Sequence, residues 1–219
     1  MTVHCYIEPH RSFWKQLCDR PVPISEENAD EVNGIIDSVR SKGDKAPPDP
    51  IKVTSEEIAE AESLVEDTLK DAIRKAYDNI RRFNEAQIPS VVRVETSPGV
   101  ICVQKPVPVN RTGLYVSRDR DPLFVTVLTL AIPAKVAGCP EVILCTPPGP
   151  DGRIHPSILY AASICGVQDI YKIGGARAIA AMAYGTESVP RCDKIAGSGD
   201  SQVVMARQAL SGIVAIDMI

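Results

Sequence analysis

Two periods of apolar residues share this chain. Val32, Ile35, Ile36 and Val39, and later Leu64, Leu69, Ile73, Tyr77, Ile80 and Phe83, recur every three or four positions. That spacing predicts helices with one apolar face. From residue 91 the period shortens to two: Val92 and Val94, then Val100 and Cys102, alternate around Ser97-Pro98-Gly99, which predicts a two-stranded antiparallel element. From Gly113 the pattern changes again. Short apolar runs (Gly113–Val116, Glu141–Cys145, Asp169–Ile173) alternate with helical stretches at Pro122–Gly138 and Pro156–Gly166. Strand and helix in alternation imply a parallel sheet covered by helices.

The boundaries carry their own chemistry. Ser25 is positioned to cap the first long helix and Gly43 to end it, and the three prolines of the Asp44–Pro50 stretch predict an exposed connection. Thr54 and Glu57 have capping-box spacing, with Val53 and Ile58 placed as a hydrophobic staple. The pattern is interrupted near Asp67. Asp121 is a candidate cap and Pro122 a first helical residue for the segment that Gly138 closes. Its interior, Leu123–Ile132, is apolar nearly all round, which predicts burial on most sides; the run stops at Pro133, at about half a bilayer span. Beyond Gly175 the pattern predicts a helix over Ala176–Tyr184, a strand near Lys194-Ile195, a helix over Ser201–Leu210 and a last strand over Ile213–Ile216. Phe13, Trp14 and Leu17 suggest a short helix or arm packed on the rest. The expected architecture is α/β: a parallel sheet of about five strands with helices on both faces, preceded by N-terminal helices and a small antiparallel hairpin. It divides into a helical region over 1–90 and a sheet domain with its leading hairpin over 91–219, which can fold as one compact unit.

Composition narrows the functional classes. With 219 residues, 44% hydrophobic and 24% charged, the chain suits an ordinary globular protein with a sizeable core. A formal charge of −4 gives no sign of a nucleic-acid partner, and no segment reads as a membrane span. Seven scattered cysteines without a Cys-x-x-Cys pair favour free thiols in a reducing compartment, and the first residues lack a secretory pattern; both point to the cytoplasm.

In an open parallel sheet, ligands bind beyond the carboxyl ends of the strands, here the loops after Val116, Cys145, Ile173 and Ile195. Two of these loops carry glycines: Gly174-Gly175-Ala176 and Gly197-Ser198-Gly199-Asp200. Glycine at a helix start admits a phosphate to backbone N–H groups, but tight helix–strand packing asks for the same small residues. The complete Gly-x-Gly-x-x-Gly pattern is absent because position 202 is glutamine. His4, His10 and His155 have no metal-ligand spacing, and no nucleophile elbow occurs. Asp193 and Asp217 suggest no acid/base pair, and Arg118-Asp119-Arg120-Asp121 reads as a solvated loop.

Several segments together resemble the histidinol dehydrogenase family: Gly113-Leu-Tyr-Val116, Pro122-Leu-Phe124, Ile132-Pro-Ala-Lys-Val-Ala-Gly-Cys139, Gly174-Gly-Ala176, Ala178–Pro190, Asp193-Lys-Ile195 and Ala215-Ile-Asp-Met218. The resemblance covers the chain from about residue 20. It implies a Rossmann-like domain and homodimeric, zinc-dependent, NAD-linked enzymes that oxidise L-histidinol to L-histidine in two hydride transfers through an aldehyde. The family's second half, which supplies zinc ligands, general base and most substrate contacts, follows the position where this chain stops, so the resemblance assigns no catalytic residue and no metal ligand here. Its cofactor-contacting positions fall on Tyr115, which matches the family's tyrosine, on Arg177 in place of glutamine, and on Asp200 in place of asparagine. The loop after Val116, Pro-Gly-Gly in the family, is Ser117-Arg118-Asp119 here. A carboxylate at Asp200 would repel a pyrophosphate but accept from a ribose hydroxyl, whereas Arg177 would attract phosphate. The expectation is a truncated homologue with little or no activity alone, retained as an NAD-like or protein-binding module, with NAD a possible cofactor; the alternatives are a non-catalytic scaffold or regulatory module, or one subunit of a split dehydrogenase. Surface left without its second half would drive homo-oligomerisation or recruit a partner chain.

Overall fold

A computed structural model describes residues 5–19, 26–45, 51–118 and 123–217. The candidate caps Ser25, Asp121 and Pro122, residues 46–50 of the proline-rich connection and Asp119–Asp121 of the charge run lie outside these ranges. The elements in chain order are a 3-10 turn over Arg11–Phe13, α1 (Trp14–Cys18), α2 (Glu26–Lys42), a second turn over Gly43–Lys45, β1 (Ile51–Lys52), α3 (Ser55–Leu64), α4 (Asp67–Glu85), β2 (Val92–Ser97), β3 (Val100–Gln104), β4 (Arg111–Val116), α5 (Phe124–Val136), β5 (Glu141–Thr146), α6 (Pro156–Ile164), β6 (Asp169–Lys172), α7 (Gly175–Tyr184), β7 (Lys194–Ser198), α8 (Ser201–Leu210) and β8 (Ala215–Ile216).

Five strands are parallel, as their patterns predict, and β1 adds an antiparallel edge, giving the order β1-β6-β5-β4-β7-β8. The edge strand was not legible in the sequence, because two residues are too few to show a period. Continuous apolar runs such as Leu114–Val116 and Val142–Cys145 are buried on both faces, as a sheet covered twice requires. Successive side chains feed two cores: Tyr115, Cys145 and Tyr171 point to the side of α2, α7 and α8, while Leu114, Val116 and Leu144 point to the side of α3 to α6. Each fully buried aliphatic side chain contributes about 1.5–3 kcal/mol by leaving water.

The capping box forms as spaced: Thr54 Oγ1 accepts from the Glu57 N–H at 3.2 Å, and Glu57 Oε2 accepts from the Thr54 N–H at 3.1 Å. The helical pattern from 55 to 85 is broken at Val65-Glu66 into α3 and α4. α5 is packed against α4, α6 and β4, which uses its nearly continuous apolar surface. It runs through Pro133 to Val136, close to the expected end at Gly138, and it starts after Leu123 without a side-chain cap. The missing Pro133 N–H costs one intrahelical bond near the exposed Thr129, where water can serve the freed carbonyl. α1 forms, but none of its residues is buried, so the arm does not pack as expected. The hairpin forms too, with both of its faces exposed.

Candidate functional site

The chain runs outward from β4 through β5 to β6 and returns to the other side of β4 as β7. Strand order therefore reverses beside β4, and the carboxyl ends of β4 and β7 flank the crevice where open α/β sheets bind ligands. Tyr115 stands next to last in β4 and pairs with Gly197 on one side and Cys145 on the other.

Tyr115 is buried, and its hydroxyl accepts the Gly175 N–H at 2.9 Å. Gly175 is the first residue of α7, and Gly174 before it offers no side-chain cap, so the tyrosine fulfils that duty from a neighbouring strand. Burial raises the Tyr115 pKa; the Gly175 N–H partly opposes this, and the nearby Asp200 charge adds to it. The phenol is therefore neutral at physiological pH. Arg177 lies in the first turn of the same helix and is half-buried.

Asp200 is the N-cap of α8, with Oδ1 accepting the Val203 N–H at 3.0 Å. The structure thus brings Tyr115, the first turn of α7 bearing Arg177, and Asp200 to one crevice. It also gives Asp200 a structural duty that the sequence reading missed, although Asp immediately before the Ser201 helix start is an ordinary capping signal.

The glycines divide by cause. A Cβ on Gly197 would lie 2.1 Å from the Tyr115 carbonyl oxygen, so close strand packing alone requires glycine there. Gly175 has φ +65° and open space where a Cβ would project. This is the position where another group can approach the backbone. An anion suits this end of α7, with the helix dipole and Arg177 beside it. The Asp200 carboxylate suits a hydroxyl donor instead.

Behind the crevice, Arg207 is buried and donates to the Gly197 carbonyl and to the Asp217 carboxylate, while Asp217 Oδ2 accepts the Gly197 N–H at 3.2 Å. Sequence spacing could not reveal this, since the partners meet only after β8 aligns with β7. Cys145 and Cys192 lie in the same core as Tyr115, with thiol pKa values raised by burial, that of Cys192 to about 12. They are inert at neutral pH. All seven cysteines are free.

A second concavity of about 640 Å³ opens on the opposite face, between α3, α6 and the loops after β4 and β5. It is lined mainly by apolar side chains such as Leu64, Leu123, Pro147 and Leu159, with Arg118, Arg153 and His155 at its polar part. His155 caps α6, accepting the Ser157 N–H. Arg118, read as part of a solvated loop, donates to the Pro148 carbonyl at 3.2 Å. The crevice remains the stronger candidate because it alone joins the switch point to an open helix N-terminus. Among the described residues no group of three or more His, Cys, Asp and Glu is placed to hold a metal ion, and no helix is long and apolar enough to cross a membrane.

Comparison with known proteins bears on the family. The family model for histidinol dehydrogenase matches residues 19–219. The chain belongs to the histidinol dehydrogenase family. It is 48% identical over 222 residues to the histidinol dehydrogenase of Bacteroides thetaiotaomicron, covering 96% of this chain and 52% of that protein. With the Escherichia coli K12 enzyme the identity is 46% over 209 residues, covering 90% and 47%. The crystal structure of histidinol dehydrogenase from Elizabethkingia anophelis superposes with a TM-score of 0.90 at 41% identity, covering 97% of this chain and 52% of that one. The chain therefore spans about half the length of the relatives it matches.

Proposed function

We propose that this chain is the nucleotide-binding half of a histidinol dehydrogenase-type oxidoreductase, taking NAD into the crevice between β4 and β7. The observation that carries the reading is the convergence of Tyr115, the open first turn of α7 with Arg177, and Asp200 at the switch point of the sheet. Arg177 and the α7 N-terminus would hold phosphate, and Asp200 would accept from a ribose hydroxyl. NAD supplies hydride transfer when bound. Oxidation of an alcohol also needs a group to take its proton, and the family is zinc-dependent. Those groups belong to the part of the family's sequence that this chain does not span, so turnover would require that part as well.

Calorimetric titration of the 219-residue chain with NAD tests the reading. Binding in the micromolar range, weakened several-fold by Arg177→Ala, is the expected result. A flat titration would overturn it in favour of a non-catalytic scaffold. One observation favours that second reading: Tyr115 and Asp200 already occupy N–H donors at the starts of α7 and α8, as a fold kept without a ligand would require.

A further inference from the structure

We infer that Arg207 and Asp217 are positioning residues of the crevice: their side chains replace the strand that β7 lacks at its carboxyl end, and so fix where Asp200 and Tyr115 meet a nucleotide. The inference rests on the nucleotide reading of the crevice, which it deepens. Asp193 and Ile195 turn their carbonyls towards β8, accepting the Ala215 N–H at 3.1 Å and the Asp217 N–H at 3.2 Å. Gly197 is the next residue in that series. β8, however, has two residues and pairs with β7 no further than Ile195. The backbone groups of Gly197 would then stand at the end of the sheet without partners, which buried N–H and C=O groups rarely do. Two side chains close the gap. Arg207 donates to the Gly197 carbonyl and to the Asp217 carboxylate, and Asp217 Oδ2 accepts the Gly197 N–H at 3.2 Å.

The place where this pair acts sets it apart from an ordinary core contact. Only Ser198 and Gly199 separate Gly197 from Asp200, the N-cap of α8. That turn has no slack, since a Cβ on Gly199 would lie 2.6 Å from the Val203 Cβ. Tyr115 faces Gly197 across β4 and β7, and a Cβ on Gly197 would lie 2.1 Å from its carbonyl oxygen. A shift of Gly197 is therefore passed to Asp200 through the turn and to Tyr115 through the sheet. From the Tyr115 hydroxyl it reaches the first turn of α7. Arg207 lies seven residues after Asp200, two turns along α8 and on the same side of it. The helix that Asp200 caps thus reaches back to hold the strand that delivers Asp200. A planar guanidinium suits the task because its N–H groups point to two acceptors at once, whereas a lysine ammonium is a point charge without that fork.

Arg207→Lys tests the inference, with NAD calorimetry and amide hydrogen exchange compared at a temperature where circular dichroism shows the variant folded. NAD should bind with unchanged stoichiometry and roughly three- to tenfold lower affinity. Amides of residues 197–203 should exchange several-fold faster, while those of β5 and α6 keep wild-type protection. Wild-type affinity together with wild-type exchange in that segment would overturn the inference. Protection lost evenly over the whole sheet would overturn it too, because a contact that only adds stability behaves in that way. If the lysine variant does not fold, Asp217→Asn takes its place: it keeps an oxygen for the Gly197 N–H, removes the charge that orients Arg207, and is decided by the same outcomes. A flat titration of the wild-type chain would count against the proposed function alone, since the exchange comparison still reads whether Arg207 holds the turn.

Discussion

The Tyr115 hydroxyl and the Gly175 N–H meet at 2.9 Å, tying the carboxyl end of β4 to the first turn of α7. Two residues 60 positions apart thus share one part-buried hydrogen bond at the mouth of the crevice. Tyr115→Phe keeps the ring in the core but leaves a helix N–H without its acceptor. Loss of about 1–2 kcal/mol is expected, read as a lower urea midpoint at unchanged slope. A variant as stable as wild type would mean that water replaces the hydroxyl.

Asp200 combines two properties that substitution separates. As a cap it accepts from Val203 N–H, a task asparagine performs equally well. As a charge it opposes phosphate at the same end of the crevice. Asp200→Asn should leave stability within about 0.5 kcal/mol of wild type and tighten NAD binding at low salt, whereas Asp200→Ala should cost about 1 kcal/mol. Equal NAD affinity in wild type and Asp200→Asn would remove the carboxylate from the binding site.

How much of this was legible before the structure follows from the range of each cause. The capping box at Thr54 and Glu57 and the alternation of β4, α5, β5, α6 and β6 depend on residues a few positions apart, so the sequence displays them directly. Tyr115, Arg177 and Asp200 could be named by resemblance, and the switch point of the sheet explains why they converge. The capping role of Asp200 follows from its place immediately before Ser201, where an Asp side chain can accept from the first turn of the helix. By contrast, the Arg207–Asp217 pair, the two-residue β1 and the two-sided exposure of the hairpin depend on which distant element lands beside which. No local period records that.

Glu57 should shape the acid limb of stability. Its Oε1 accepts from Lys172 at 2.5 Å while Oε2 completes the capping box, and the Lys172 hydrogen bond is the main cause holding its carboxyl below the usual carboxylate range. A depressed folded pKa contributes stability that is fully present above the unfolded value, about pH 4.3, and lost as pH falls through the lower folded value. Glu57→Gln keeps a capping oxygen but loses the charge. The variant should be about 1–3 kcal/mol less stable at pH 7. The gap should close as pH falls below about 4, when the wild-type carboxyl also becomes neutral. A gap independent of pH in thermal unfolding from pH 3 to 7 would show that the Lys172 pair contributes nothing.

Arg207 and Asp217 hold Gly197 by both of its backbone groups: the guanidinium donates to its carbonyl, and the carboxylate accepts its N–H. The Arg207 side chain is 6% exposed and that of Asp217 25%, so neither charge is well served by solvent if the other is removed. Arg207→Met should therefore cost about 3 kcal/mol, because it strands a carboxylate and a carbonyl together. Asp217→Leu in the same background removes the stranded charge and should recover part of that loss, giving a coupling energy of about 1–3 kcal/mol in the double-mutant cycle. The clamp also fixes the turn from β7 into α8, which carries Asp200. Arg207→Met should therefore weaken NAD binding even in the fraction that remains folded. Additivity of the two substitutions within about 0.3 kcal/mol would show that the pair does not act as a unit.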